Sequence, residues 1–158
     1  MGLHRSPDMM TINGLPAHPL LVHLVLVMLP LSSLMAIIGS LWPAAQRKFG
    51  FLTPLAALGA MIFVPITIQA GEQLVDSLHL TGAAIAHHET LGRRILPFSI
   101  ALAVTTIGQW IYLRFAPRRQ WMTVLIALLV IAAAALTTVQ VVLAGDAGAH
   151  LVWGGNAS

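Results

Sequence analysis

Four long runs of apolar residues, separated by short polar connections, set the pattern of this chain of 158 residues. The first run, from Pro19 to Trp42, holds a single titratable side chain, His23. The other runs cover residues 51–70, 95–115 and 121–144. Each run provides about the 20 residues that an α-helix needs to cross the hydrocarbon core of a bilayer. The pattern therefore predicts four transmembrane helices.

Two of these helices are predicted to continue past their apolar runs. Glu72, Asp76 and His79 fall at i, i+4 and i+7, which places them on one helical face. The second helix is therefore expected to extend to about residue 79. The segment that begins at residue 83 has a helix-forming composition and leads into the third apolar run, which predicts a helix over 83–115.

The remaining segments are predicted to be connections and tails. Residues 1–17 form a polar lead too short to fold alone, and residues 43–50 form a tight connection. Residues 145–158 are rich in glycine and are expected to fray. The whole chain, 1–158, is thus predicted to be one all-α domain, an integral membrane four-helix bundle.

Composition supports a membrane protein and excludes several classes of site. The chain is 58% hydrophobic and 8% charged, whereas soluble domains have about 25% charged residues. It has no basic stripe with interleaved aromatic residues, so nucleic-acid binding is excluded. It has no cysteine, which excludes thiolate metal sites and covalently attached haem. Any metal or haem must be held by His, Met or carboxylate side chains.

Cationic residues predict the orientation of the bundle. Those beside the first and third connections are Arg47, Lys48, Arg114, Arg118 and Arg119. Those on the other side are Arg5, Arg93 and Arg94. Because short cytoplasmic loops carry the excess of Lys and Arg, the first and third connections are expected in the cytoplasm. Both termini then lie on the outer side of a membrane that the chain crosses several times, which is the periplasmic side in the case of a bacterial inner membrane.

The same layout gathers the titratable groups at the outer end of the bundle. They are His4, His18, His23, His79, His87, His88, His150, Asp8, Glu72, Asp76, Glu89 and Asp146. With a rise of about 1.5 Å per residue, His79, His88 and His150 share one level. Three imidazoles with Asp76 or Glu89 as a further ligand or outer partner would suit Zn, Cu, Ni or Fe. The alternative is that these groups are simply solvated at helix ends.

A haem site is the second candidate. Bis-His haem needs two imidazoles from different helices. His23, an ionisable residue within the bilayer, is one candidate ligand, and His88 or His87 is the other. This pairing requires a kink at Pro97, a helix shift or a different axial partner, and His18 at the start of the first helix belongs to the same candidate set.

Two arginines accompany the haem candidates. Arg93 and Arg94 are cations suited to the haem propionates. Equally, they would pair with the carboxylates of Glu72, Asp76 and Glu89, or anchor the helix at the lipid headgroups. The sequence leaves both interpretations open.

Three segments together resemble a bacterial membrane-protein family, domain of unknown function 2231. They are Leu15–His23, with its His-Pro-x-x-x-His opening, the start of the third helix at His88, and the ending Gly145–Gly154. The resemblance covers the four-span layout over nearly the whole chain. The ending departs from the family pattern, in which a His follows the Leu-Val-aromatic triplet. The family is similar in general plan to small four-helix b-type cytochromes, which implies a haem or redox role.

Two functions are therefore predicted. The first is a small electron-transfer or redox-associated membrane subunit that binds haem b or a transition metal at its histidine-rich end. The alternative is a non-catalytic accessory or structural subunit of a larger membrane or respiratory complex. The lipid bilayer is a partner of the protein in both cases. The sequence gives no indication of an enzyme, because it has no nucleophile with a base, no phosphate-binding loop and no paired carboxylates in a defined pocket.

Overall fold

The computed structural model describes residues 10–154. Within them the chain forms five helices and one hairpin of two short strands. The helices are α1 (Ala17–Leu41), α2 (Pro43–Phe49), α3 (Leu52–Ser77), α4 (Ala83–Phe115) and α5 (Gln120–Trp153), and the strands are β1 (Thr11–Ile12) and β2 (Leu15–Pro16). His4, Arg5 and Asp8, which entered the charge pattern above, lie outside the described residues.

Four of the helices, α1, α3, α4 and α5, are long and apolar enough to span a membrane. They pack as a ring in which α1 contacts α3 and α5, and α4 contacts the same two helices. Consequently α1 and α4 stand at opposite corners of the bundle. The predicted all-α four-helix membrane bundle is confirmed, while the side of the membrane on which the termini lie stays a prediction.

Small side chains let the helices approach closely along the bundle axis. Ala57, Ala60 and Ala134 are fully buried there, beside larger core residues such as Leu29 and Leu102. Close backbone approach of this kind is the usual basis of helix association in membranes, where lipid is as apolar as the core. The outer faces of the helices carry many exposed apolar side chains, which contact the bilayer.

The described residues before α1, 10–16, form a hairpin, although the sequence predicted only a polar lead there. β1 and β2 pair antiparallel across Asn13 and Gly14, both of which have positive φ angles of 52° and 79°. A two-residue Asn-Gly loop is typical of a type I′ turn, whose twist matches that of the flanking strands. The hairpin is tied to the bundle by the backbone N–H of Met10, which donates to the side-chain oxygen of Gln73.

Two other segments also differ from the sequence prediction. The expected tight connection over 43–50 contains the short helix α2, with Pro43 at its first helical position. The expected glycine-rich tail is helical as far as Trp153. Gly145 and Gly148 do not break α5 because each lies against a neighbouring side chain, Leu26 and His88 respectively, and tertiary packing outweighs helix propensity.

Candidate functional site

Two imidazoles meet at the end of the bundle where the chain enters α1 and α4. The ring centres of His18 and His88 lie 6.4 Å apart, with their planes inclined by 80°. The two residues come from helices at opposite corners of the bundle, so their rings occupy the space between all four long helices. We call them the histidine pair, and we call this end of the bundle the histidine end.

Each member of the pair is oriented by a backbone carbonyl of a neighbouring helix. The Nδ1 of His18 lies 3.0 Å from the carbonyl oxygen of Thr67 in α3. The Nδ1 of His88 lies 3.1 Å from that of Ala144 in α5. Because a carbonyl oxygen only accepts, each Nδ1 carries the proton, and in the neutral ring Nε2 keeps its lone pair. Both rings therefore present Nε2 as the nitrogen able to bind a ligand.

The other two candidate haem ligands point outward. His23 is exposed, and its Nδ1 donates to the carbonyl oxygen of Pro19 in its own helix, at 2.6 Å. His87 is exposed as well. The structure thus brings His18 to His88, whereas the sequence analysis gave the first place to a pairing of His23 with His88 or His87.

The residues proposed as a metal set are spread over the histidine end. His79 follows the end of α3 with a φ angle of 50°, and both His79 and Asp76 are exposed. His150 is 74% exposed in its side chain and lies 3.7 Å from Asp146, one turn earlier in α5. Within residues 10–154 no group of three or more His, Cys, Asp or Glu side chains is arranged to hold a metal ion.

The carboxylates near the site pair with Arg93. Its guanidinium lies 2.9 Å from the carboxylate of Glu72 in α3 and donates to that of Glu89 one turn earlier in α4. These three side chains are between 39% and 58% exposed, so solvent screens the attraction. Arg94 is exposed. Of the interpretations of Arg93, the structure displays the ion pairs: one with Glu72, which joins α4 to α3, and one with Glu89 within α4.

Comparison with known proteins gives a match to a family of membrane proteins. No curated protein and no solved structure matches the chain. The model of a family described as predicted membrane protein (DUF2231) matches residues 14–157. This range contains all four candidate spans and the histidine pair, while the likeness to b-type cytochromes stays a prediction. The chain belongs to the DUF2231 family of predicted membrane proteins.

Proposed function

We propose that the histidine pair binds the metal of a cofactor, b-type haem in the first place and a bare transition metal in the second. The protein then serves as a small electron-transfer or redox-associated subunit of a bacterial inner membrane, with its histidine end towards the periplasm. The observation that carries this proposal is the approach of His18 to His88 from opposite corners of the bundle.

The chemistry of the two donors fits a metal. Imidazoles that bind metals usually have their other ring N–H held by a carbonyl or carboxylate, which fixes the tautomer and the ring orientation. Both His18 and His88 have this arrangement, with a backbone carbonyl as the acceptor. Their rings are therefore oriented by the protein itself rather than by a ligand.

The spacing of the rings also fits. An imidazole nitrogen binds a metal at about 2 Å, and with roughly 1 Å more to each ring centre, two rings on opposite sides of one metal have centres about 6 Å apart. The observed separation is 6.4 Å. An edge-to-face ring pair without a metal spans the same range of separations, so the spacing permits a shared metal and the hydrogen bonds that orient the two rings support it.

The number of donors favours haem over a bare ion. Zinc in proteins takes at least three protein ligands, and residues 10–154 offer no third side chain of the usual ligating types in a group with the histidine pair. A porphyrin supplies four nitrogen ligands of its own and would need two more from the protein, which His18 and His88 could provide. When bound, such a haem would supply one-electron chemistry, and His18 and His88 would hold it.

The second candidate function is that of an accessory subunit. The same two hydrogen bonds support it, because each of them also joins two helices. His18 ties α1 to α3, and His88 ties α4 to α5. Two such ties would stabilise the histidine end of a bundle that has no cofactor. The function would then lie in the apolar outer faces, which would pack against a larger membrane complex.

An absorption spectrum separates the two candidates. The protein would be produced in bacteria supplied with iron and a haem precursor, purified in a mild detergent, and measured oxidised and reduced, with elemental analysis of the same sample. We expect sharp reduced-state bands and iron equimolar with the chain. Metal without those bands would indicate the bare-ion site, and a sample with neither would favour the accessory subunit.

A further inference from the structure

Gly71 lies directly under the ring of His18. A Cβ built on Gly71 would stand 2.8 Å from Cε1, 2.9 Å from Nδ1 and 3.4 Å from Nε2 of that ring. Because three ring atoms lie this close, the imidazole of His18 packs directly against the Cα of Gly71. Any side chain larger than hydrogen at this position would displace the ring.

Gly148 stands in the same relation to His88. A Cβ built there would lie 3.0 Å from Cε1, 3.4 Å from Nδ1 and 3.7 Å from Nε2. The three nearest ring atoms are the same as at Gly71, and they follow in the same order. The two contacts are therefore two copies of one arrangement.

The spacing between glycine and carbonyl is also the same in both copies. His18 donates to the carbonyl of Thr67, four residues before Gly71, and His88 donates to that of Ala144, four residues before Gly148. Residues four apart lie one above the other on a helix. Each imidazole thus packs against one turn of the adjacent helix, α3 for His18 and α5 for His88. The hydrogen-bonded carbonyl lies at the start of that turn and the glycine at its end.

Gly71 and Gly148 make their helices less stable than alanine would, and the contacts with the imidazole rings explain why glycine is present. Glycine inside a helix is less favourable than alanine, because it loses more backbone freedom on folding. Gly71 and Gly148 both lie inside long helices. Their φ angles are ordinary, so the backbone does not require glycine, and the space taken by the ring is the remaining reason.

We infer that Gly71 and Gly148 are positioning residues, which set the ring orientation and the protonated nitrogen of His18 and His88. Alanine at position 71 pushes the His18 ring off its turn, breaks the hydrogen bond from Nδ1 and removes the preference for a free Nε2. Alanine at position 148 moves the His88 ring less, because its Cβ would stand 3.0 Å from the nearest ring atom. One consequence, that both substitutions also weaken cofactor binding, rests on the proposed function. The geometry of the rings is a property of the cofactor-free protein.

The test is a double-mutant cycle on thermal unfolding in detergent. Gly71→Ala should lower the Tm by several degrees when His18 is present and should raise it in a His18→Ala background, where the methyl group has space. Gly148→Ala should show the same pattern with His88→Ala but with a smaller effect, because its Cβ would stand 3.0 Å rather than 2.8 Å from the nearest ring atom. Gly59→Ala in α3, which meets nothing within 4 Å, should raise the Tm in both backgrounds. A Gly71→Ala effect of the same sign and size with and without His18 would overturn the inference.

Histidine NMR provides the readout that a purely structural role would not change. In cofactor-free protein labelled with ¹⁵N at histidine, His18 should be protonated at Nδ1 in the wild type and in Gly59→Ala. In Gly71→Ala it should become a mixture of tautomers, while His88 stays unchanged. An unaltered His18 tautomer in Gly71→Ala would refute the positioning role. Absence of any cofactor in the wild type would remove the proposed function and leave this result standing.

Discussion

Ser40 and Gln109 hydrogen-bond to each other across the bundle. The Nε2 of Gln109 donates to the Oγ of Ser40 at 3.0 Å, and the hydroxyl of Ser40 lies 3.4 Å from the Oε1 of Gln109. These residues belong to α1 and α4, the same two helices that carry the histidine pair at the other end. The two diagonal helices therefore approach each other near both of their ends, through this hydrogen bond at one end and through the neighbouring rings of His18 and His88 at the other.

Replacing Ser40 should lower the free energy of unfolding more than replacing Gln109. Ser40→Ala leaves the amide of Gln109, which is only 6% exposed, without its partner, and we expect a loss of about 1 kcal/mol in the free energy of unfolding. Gln109→Met should cost less, because the Ser40 hydroxyl is then free to bond a carbonyl of its own helix, as Ser32 does with Met28. Unfolding titrations in mixed micelles measure both values. Equal losses in the two variants would contradict this account.

Tyr112 closes the turn between α4 and α5. Its hydroxyl accepts from the backbone N–H of Arg119 at 2.8 Å and donates to the carbonyl of the same residue at 3.1 Å. Tyr112→Phe removes both bonds and should cost about 1 kcal/mol. Trypsin should then cleave the turn at Arg118 and Arg119 faster than in the wild type.

The matched control for this turn is Thr123→Val. The Thr123 hydroxyl lies 3.5 Å from that of Tyr112, at the limit of a hydrogen bond, and donates to the Arg119 carbonyl at 3.2 Å. This second bond is exposed, so water replaces it when the hydroxyl is removed. This variant should be cleaved at nearly the wild-type rate. Equal cleavage of the Tyr112→Phe and wild-type proteins would show that the tyrosine does not hold the turn.

The orientation of the bundle is testable because the chain contains no cysteine. Thr81→Cys introduces a thiol in the exposed connection between α3 and α4, at the histidine end, and Gln120→Cys introduces one at the start of α5, at the opposite end. A membrane-impermeant maleimide should label the first in intact cells and the second only after lysis. The reverse pattern would place the histidine end in the cytoplasm and leave the site itself untouched.

The sequence sufficed for the four-helix layout because its signal is strong. Each long helix is apolar over the length that a bilayer requires, and no soluble alternative produces four such runs. The Asn13-Gly14 dipeptide is also a hairpin signal, but its strands are only two residues long, too short for an alternating pattern to predict them. The connection at 43–50 carried a helix signal too, in Pro43 at the first turn.

The choice of histidine was harder to predict. His18 and His23 are five residues apart, about 140° around a helix, so only one of them can face the interior. In a soluble helix the apolar stripe would reveal which one, but α1 is apolar on all sides because lipid replaces water. In the structure Ala17, Leu21 and Val25 are buried, which places His18 beside the inner face and His23 away from it.

The carbonyl groups that hold the histidine pair in place could not be predicted from the sequence. Thr67 and Ala144 contribute backbone carbonyls, and any residue has a carbonyl. Gly71 and Gly148 carry a weak signal, since glycine inside a long helix has a cost that calls for a reason. The prediction that residues 145–158 fray treats the glycines of this segment as a sign of a helix end, whereas α5 continues to Trp153.

The most direct test of the central claim compares four histidine variants. Cofactor occupancy would be measured from the reduced-state absorption and metal content of His18→Ala, His88→Ala, His23→Ala and His87→Ala, all purified in the same way. The account predicts that the first two lose the cofactor and that the last two retain it at the wild-type level. Full occupancy in His18→Ala or His88→Ala, or its loss in His23→Ala alone, would contradict the assignment of the histidine pair as the cofactor site.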